Sequence, residues 1–170
     1  MEQKQINFKE ALAFGEEGEK EVAEILIKKG INILPLYQFT TEQAPKIINQ
    51  NNNYISPDLT CFFNGKCFFV EVKSKNRWTI CPKTKRTETG CDYRRYKHYL
   101  ELSEKTGLKV LMVFNHINNK PFEHLNESSN GFFYVDVKEK GRYWNGHNEK
   151  TNKKIHKPIY FWNYNQLTRI

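Results

Sequence analysis

The 170-residue chain has the length of a single domain, carries a formal charge of +8 and has a pI near 9.2. It contains no apolar run of membrane-spanning length, and its first residues, MEQKQINFKE, lack signal-peptide character. We therefore expect one domain over residues 1–170 that stays in the cytoplasm, does not enter a membrane and favours a polyanionic partner. The cysteines form no CxxC pair, which favours free thiols over a structural zinc site: Cys61, Cys67, Cys81 and Cys91.

The first predicted element is an amphipathic helix over residues 8–29, stopped by Gly30. A short apolar segment, residues 31–36, predicts the first strand, and the Asn-rich stretch 40–53 is interpreted as an irregular loop. One face of the helix carries residues at alternating four- and three-residue steps, namely Phe8, Leu12, Gly15, Glu19, Val22 and Leu26.

A β-hairpin follows, with Asn64-Gly65 as its two-residue turn. Residues 59–63 and 66–73 supply β-prone arms, and both turn residues tolerate the positive φ that such a turn requires. Apolar residues occupy both faces of the second arm, which is typical of a central strand that is covered on both sides.

The rest of the chain predicts a second helix and three more strands. Residues 84–90 are predicted to be a polar connector, and Asp92 is expected to cap a helix that runs to Thr106 before Gly107. Strands are predicted over residues 108–114, 132–137 and 159–164, with a basic, Gly- and Asn-rich insertion between the last two. The order αβββαβ with a β-rich tail predicts an α/β fold, with helices flanking a central mixed sheet.

The hairpin register brings charged residues together. Counting outward from the two-residue turn places Asp58 opposite Glu71, and opposed residues share a sheet face with β-carbons about 4.5–5.5 Å apart. Lys73 points to the same face, because side chains alternate along a strand. The sequence thus predicts two carboxylates and an ammonium on one patch of the sheet.

This patch favours a metal site. Two carboxylates at that distance repel each other unless a cation or a proton intervenes, and hard oxygen ligands suit Mg²⁺ or Mn²⁺. The alternative is a surface ion-pair cluster. Glu19 is the one charged residue in its helical stripe, so it needs a partner. We expect that partner to be the charged patch, with Gly15 and Gly18 permitting close approach of the helix; the alternative is a Lys or Arg at the rim of the core.

A basic stretch follows the patch. Between Lys73 and Lys97, nine basic residues accompany only two acidic ones, and interleaved cations and aromatics suit phosphate contacts and base stacking. The alternatives are a solvated loop here, or a main contact made by the basic insertion at residues 138–157. The candidate nucleic-acid-binding residues are Lys75, Arg77, Lys83, Lys85, Arg86, Arg94, Arg95 and Lys97.

Pro57-Asp58, twelve intervening residues and Glu71-Val72-Lys73 resemble the PD-(D/E)XK nuclease superfamily. In that family the preceding helix often contributes a glutamate after glycine, which maps onto residues 15–19. The arrangement looks most like archaeal-type Holliday-junction resolvases. The resemblance covers roughly residues 8–114 and implies a restriction-endonuclease-like core. Many members carry Gln or Tyr in the second helix, where Tyr96 is the comparable candidate.

The resemblance implies a metal-dependent endonuclease that hydrolyses DNA phosphodiester bonds, with branched DNA as one substrate. Asp58, Glu71, the Val72 carbonyl and Glu19 would hold Mg²⁺ or Mn²⁺, and Lys73 would position or help deprotonate a water. The catalytic residues would then be Glu19, Asp58, Glu71 and Lys73. Two alternatives stay open, an inactive DNA-binding module of the same fold and an RNA-directed or nucleotide-triggered nuclease. A homodimer is one option for the assembly.

Overall fold

The computed structural model of the chain describes residues 8–35, 46–48, 53–117, 130–148 and 151–170. Leu36, which ends the predicted first strand, and much of the predicted 40–53 loop lie outside these residues, as do the side chains of Phe8 and Leu12. The elements are α1 (Phe8–Lys28), β1 (Asn32–Pro35), β2 (Lys46–Ile48), β3 (Asn53–Ile55), β4 (Leu59–Phe63), β5 (Lys66–Lys75), β6 (Thr79–Ile80), β7 (Thr87–Asp92), α2 (Tyr93–Thr106), β8 (Lys109–His116), β9 (Gly131–Asp136), β10 (Arg142–Trp144), β11 (Ile159–Asn163), a 3₁₀ turn (Tyr164–Gln166) and β12 (Thr168–Arg169).

Helix α1 has the predicted bounds to within a residue, and Gly30 follows it in the left-handed region with φ 79°. Val22 and Leu26 are buried in the core on one side of the central sheet. A β-carbon added to Gly18 would collide with the Ser74 hydroxyl of β5, whereas one on Gly15 would meet open space. Gly18 is therefore the position at which the helix approaches the sheet closely.

The central sheet is mixed, as predicted. Its six strands have the order β1-β4-β5-β8-β9-β12, and β5 and β8 run parallel while the other neighbours run antiparallel. Val70 and Val72 of β5 pack into the core that contains α1, and Phe69 packs into the core that contains α2. The two helices thus cover opposite faces, and Glu71 and Lys73, which alternate with the valines, lie on the α2 side.

A second sheet, with the order β10-β11-β7-β6, corrects the predicted polar connector. Residues 87–92 form a strand because Thr87 pairs with Ile80 of β6 and residues 88–92 pair with β11, whose residues lie about seventy positions later in the chain. Such distant pairing leaves no local signal. Strand β10 inside the basic insertion was also missed, and so was the hairpin of β2 with β3, which corrects part of the predicted irregular loop; each of these strands has only three residues, too few to show a periodicity.

Helix α2 begins and ends as predicted. The Asp92 side chain accepts a hydrogen bond from the Arg94 backbone N–H at 2.8 Å. At the other end Gly107 adopts φ 71° and its N–H donates to the Ser103 carbonyl. The buried side of the helix carries Tyr96, Tyr99 and Leu102, and this rotation determines which residues face β5.

Candidate active site

The turn of the hairpin positions the site. Asn64 and Gly65 both have positive φ, 48° and 72°, and the strands pair from Phe63 opposite Lys66 to Leu59 opposite Val70. The predicted register is therefore confirmed along the whole length of β4. Asp58 lies one residue beyond the strand, where its side chain replaces a backbone partner: Asp58 Oδ2 accepts a hydrogen bond from the Val72 N–H at 2.7 Å.

Asp58 is a buried carboxyl with only 8 % of its surface exposed. Burial raises its pKa well above the usual range, and the negative charge of Glu71 raises it further. The Lys73 ammonium and the Val72 N–H act in the opposite direction but do not cancel the effect. Ionised Asp58 is therefore costly here, and a further positive charge nearby would favour the ionised form.

Glu71 is completely buried and only half satisfied. The Lys73 ammonium contacts Glu71 Oε1 and donates to the Val72 carbonyl at 3.0 Å. Glu71 Oε2 has no hydrogen-bond partner among the described residues. Burial by itself would lower the pKa of Lys73, but Glu71 and Asp58 raise it overall, so this ammonium stays charged.

Helix α2 contributes two further groups. Arg95 Nη1 lies 3.7 Å from Glu71 Oε1. One helical turn later the buried Tyr99 lies close to Glu71, although the two make no hydrogen bond of normal geometry. Burial raises the pKa of Tyr99, and so does the charge of Glu71. Tyr96, the candidate taken from the family pattern, instead stacks on Tyr160 with ring centroids 3.6 Å apart.

The second helix thus faces Glu71 with Arg95 and Tyr99 rather than Tyr96, which corrects that expectation. Arg95 was predicted from the sequence to contact DNA. The i, i+4 spacing of the two residues was an available signal, since it puts them on one helix face. Which face meets β5 is decided by packing against the second sheet.

Glu19 approaches from the other side of the central sheet, on α1. It is half-buried; burial raises its pKa, the Lys73 charge lowers it, and Glu71 raises it again. Within the described part of the chain it makes no hydrogen bond or ion pair with Asp58, Glu71 or Lys73. Glu19 therefore belongs to the cluster through its charge alone.

The donor atoms suit a hard divalent cation. The Asp58 and Glu71 carboxylates and the Val72 carbonyl supply oxygen, and Glu71 Oε2, which has no hydrogen-bond partner in the part of the chain that the structure describes, is the atom that such an ion would satisfy. Among the described residues, however, no three His, Cys, Asp or Glu side chains are grouped as a metal site. The set therefore consists of two carboxylates and a carbonyl, and the Lys73 ammonium contacts two of these ligands.

Two of the predicted nucleic-acid-binding residues lie beside the charged cluster, and the other six lie on the surface. Lys75 is half-buried and close to Cys91 and Lys73, and burial lowers its pKa. Arg95 faces Glu71. The remaining members are exposed on the surface, namely Arg77, Lys83, Lys85, Arg86, Arg94 and Lys97.

All four cysteines are free thiols. No helix in the ranges that the structure describes combines the length and apolarity that crossing a membrane requires.

No protein-family model matches the chain, and no curated protein matches it.

Among solved structures, the chain is similar to Hjc, a Holliday junction resolvase from the archaeal hyperthermophile Archaeoglobus fulgidus. The match covers 89% of each chain with 9% sequence identity and a TM-score of 0.48. This identity is too low to carry residue roles from one protein to the other.

Proposed function

We propose that this protein is a metal-dependent nuclease of the PD-(D/E)XK type that hydrolyses phosphodiester bonds in DNA. The observation that carries the proposal is the convergence of Asp58 and Glu71 on Lys73, with one buried Glu71 oxygen that has no hydrogen-bond partner within the described ranges. A buried ion pair that serves only stability needs hydrogen bonds to the remaining lone pairs, because an unsatisfied buried carboxylate oxygen is costly. An additional cation removes that cost.

The residues take separate roles in this proposal. Asp58, Glu71 and the Val72 carbonyl would hold Mg²⁺ or Mn²⁺, and Glu19 would add a third negative charge near them. When bound, the ion acts as a Lewis acid at the scissile phosphate and offsets negative charge in the transition state. Lys73 positions the attacking water, and the half-exposed Arg95 side chain, anchored near Glu71, is placed to contact a phosphate oxygen.

DNA is the substrate that the charge distribution favours. The chain carries a formal charge of +8, and α2 displays Arg94 and Lys97 on its exposed side, next to the Arg95 that faces Glu71. Phosphate contacts of this kind give sequence-independent affinity. Structure-specific action on branched DNA is the narrower proposal, and it rests on the resemblance of the sequence, including the first helix and Gly30, to archaeal-type Holliday-junction resolvases.

A second candidate is a DNA-binding module that does not cut. It is favoured by the Lys73 ammonium, which already contacts Glu71 Oε1 and the Val72 carbonyl, and by the lack of a third grouped carboxylate among the described residues. In such a protein the ammonium would replace the metal ion permanently.

Incubation of the full chain with linear, nicked, single-stranded and four-way-junction DNA, with and without Mg²⁺, separates the two candidates. We expect cleavage only with the divalent ion, and none by Asp58→Ala. Asp136→Ala is the matched control, since Asp136 lies on β9 and pairs with Lys109 instead. Binding of DNA without cleavage under every condition would select the binding module, and wild-type cleavage by Asp58→Ala would contradict the assigned site.

A further inference from the structure

A cavity of about 370 Å³ opens on the second sheet, on the face turned away from α2. Tyr160 and Trp162 of β11 pack into the core with α2, and Phe161 between them points the other way into the cavity. The cavity contains none of the proposed catalytic residues. Its walls include Ile80, Pro82, Arg142, Trp144, Ile155 and Phe161.

The wall combines apolar side chains with polar ones such as His147 and Asn148, and two of its side chains are held in place. The Trp144 indole N–H donates to the His147 carbonyl at 3.1 Å, which fixes the ring plane. The Arg142 guanidinium lies 4.8 Å from the centre of the Phe161 ring and is itself held by the Glu88 carboxylate. The volume lies at the small end of ligand pockets, which run from about 300 to 1,000 Å³, and it suits one flat ring system better than a length of peptide.

The chain segments that supply most of the cavity wall are rich in basic residues, one of which, Arg142, is paired with the buried Glu88. Three described stretches, residues 79–86, 142–148 and 151–158, contribute wall residues and contain no acidic residue, and we call their basic residues the basic rim. Glu149 and Lys150, between the last two, lie outside the described residues and cancel in formal charge. An occupant with an aromatic ring and an attached anionic group matches both the walls and the rim. The basic residues of the three stretches are Lys83, Lys85, Arg86, Arg142, Lys153, Lys154 and Lys157.

The cavity is also within reach of the candidate active site. Thr79, in its wall, follows Lys73 by six residues, so their α-carbons are at most about 20 Å apart, from the reach of an extended chain. At a rise of about 3.4 Å per nucleotide along one strand, that distance corresponds to no more than about six steps of duplex DNA.

We propose that this cavity binds an unpaired base of the DNA substrate, inserted between Trp144 and Phe161, while the flanking phosphates contact the basic rim. The inference rests on the proposed function in that the partner is DNA. It goes further in assigning a preference for DNA with at least one unpaired base near the cleaved bond. Base–aromatic stacking tolerates any base, so the preference concerns structure and not sequence.

The test measures binding in metal-free buffer, where cleavage cannot interfere. Fluorescence anisotropy compares a short, fully paired duplex with the same duplex carrying one extra unpaired base. Wild-type protein should bind the bulged duplex about tenfold more tightly, within the roughly 5- to 150-fold that stacking one base contributes. The variant Ile155→Glu, which puts a negative charge at the cavity wall, should remove that preference.

The matched control is Ile27→Glu on α1. Ile27 and Ile155 are similarly exposed, at 59% and 61%, so both variants should fold and both alter the net charge equally. Retention of the bulge preference by Ile27→Glu, with its loss in Ile155→Glu, is the expected result. The inference would be overturned if both variants kept the bulge preference, if both lost it, or if the wild-type protein bound the paired and bulged duplexes equally well. None of these results would contradict the nuclease proposal. Absence of binding to any DNA would overturn both.

Discussion

Glu71 and Glu88 are two buried glutamates, and each faces an arginine, yet their surroundings differ in kind. Both Glu88 oxygens accept hydrogen bonds from Arg142, at 2.6–3.2 Å, across the second sheet. Glu71 shares one oxygen between Lys73 and Arg95, leaves the other without a partner among the described residues, and lies beside a second buried carboxyl, Asp58. Glu88 forms a closed pair, whereas Glu71 belongs to an open cluster.

The difference separates an ion pair that supports the fold from one that, in the proposed function, accepts a metal ion. A closed bidentate pair gains geometric specificity and needs no further charge. An open cluster of two carboxylates keeps repulsion and an unmade hydrogen bond in the folded state, and it persists because the surrounding strands and α2 fix its members. Substitutions at the two glutamates should therefore have opposite signatures, one in stability and the other in catalysis.

The largest expected effect is the loss of catalysis when the open cluster loses a carboxylate. Glu71→Gln and Asp58→Asn should each reduce the Mg²⁺-dependent cleavage rate by on the order of 10³-fold, because each removes a preorganised charge at the reacting phosphate. The thermal stability of Asp58→Asn in metal-free buffer should stay equal to that of wild type or rise, since this substitution removes a carboxyl whose ionised form is costly to bury and leaves the Glu71–Lys73 pair in place. Single-turnover kinetics and thermal melts measure both quantities. A variant that cuts at the wild-type rate would contradict the assignment.

Lys73 should show the next largest effect. We expect Lys73→Ala to reduce turnover by roughly 10²-fold and to leave DNA affinity nearly unchanged, because one contact among many contributes little to binding. Lys73→Arg should not rescue the activity, since a planar fork cannot replace a compact ammonium that contacts Glu71 and the Val72 carbonyl. Binding measured with Ca²⁺ in place of Mg²⁺ separates the two quantities. If affinity fell together with turnover, Lys73 would be a binding residue.

Substitution in the closed pair should lower stability and leave cleavage unchanged. Glu88→Gln should lower the free energy of unfolding by about 2 kcal/mol, the cost of weakening charge-assisted hydrogen bonds, which for a chain of this size lowers Tm by about 4–8 °C. Cleavage by the folded variant should match wild type at a temperature well below its Tm. A variant with normal stability and impaired cleavage would place Glu88 in the catalytic machinery and remove the distinction between the two glutamates.

The pH dependence of stability should sharpen the comparison further. Asp58 has a raised pKa in the folded protein, so between its unfolded value near 3.9 and its folded value the native state binds more protons than the unfolded state does. The free energy of unfolding in metal-free buffer therefore falls as pH rises through this window. Its upper limit, the folded pKa of Asp58, depends on the charges of Glu71, Lys73 and Glu19. Asp58→Asn should flatten this fall, so its Tm advantage over wild type should grow with pH. A constant difference between the two proteins from pH 4 upward would contradict the shift.

The grouping of Asp58, Glu71 and Lys73 could be predicted from the sequence, but the position of Arg95 on α2 beside them could not. Asn64-Gly65 determines the hairpin register locally, and the register alone brings Asp58, Glu71 and Lys73 together. By contrast, the choice of Arg95 over Tyr96 follows from how α2 is rotated, and Tyr96 is held away from β5 by its stack on Tyr160.

The short strands could not be predicted from the local sequence either, because they too depend on tertiary contacts. Strands of two or three residues such as β6 and β10 have no periodicity of their own, and they form because β7 and β11 offer edges on which to pair. The second sheet and its cavity are consequently properties of the tertiary structure, although part of the cavity wall, including Arg142, Trp144 and Ile155, comes from the basic, Gly- and Asn-rich insertion recognised in the sequence.

The smallest expected effect concerns which basic surface binds the phosphates. Replacing Lys83, Lys85 and Arg86 together with Gln should weaken binding to all DNA sequences alike. It should also flatten the dependence of log K on log salt by about 0.9 for each phosphate of duplex DNA that the variant no longer neutralises. The matched variant replaces Lys153, Lys154 and Lys157, which removes the same charge from the insertion. Anisotropy titrations at several salt concentrations give both slopes.

Both triplets lie close in sequence to residues that line the cavity, Pro82 for the first and Ile155 for the second, so the DNA used in the titration decides what they report. On fully paired duplex we expect the 83–86 triplet to reduce the slope more, because its turn lies near β5 along the chain, with only residues 76–78 and the two-residue strand β6 between the turn and the strand that carries Lys73. On duplex with an unpaired base, both triplets should reduce it, since a strand entering the cavity passes both. An unchanged slope for the first triplet and a reduced slope for the second on paired duplex would instead make the insertion the main contact, with the β6–β7 turn as solvated surface.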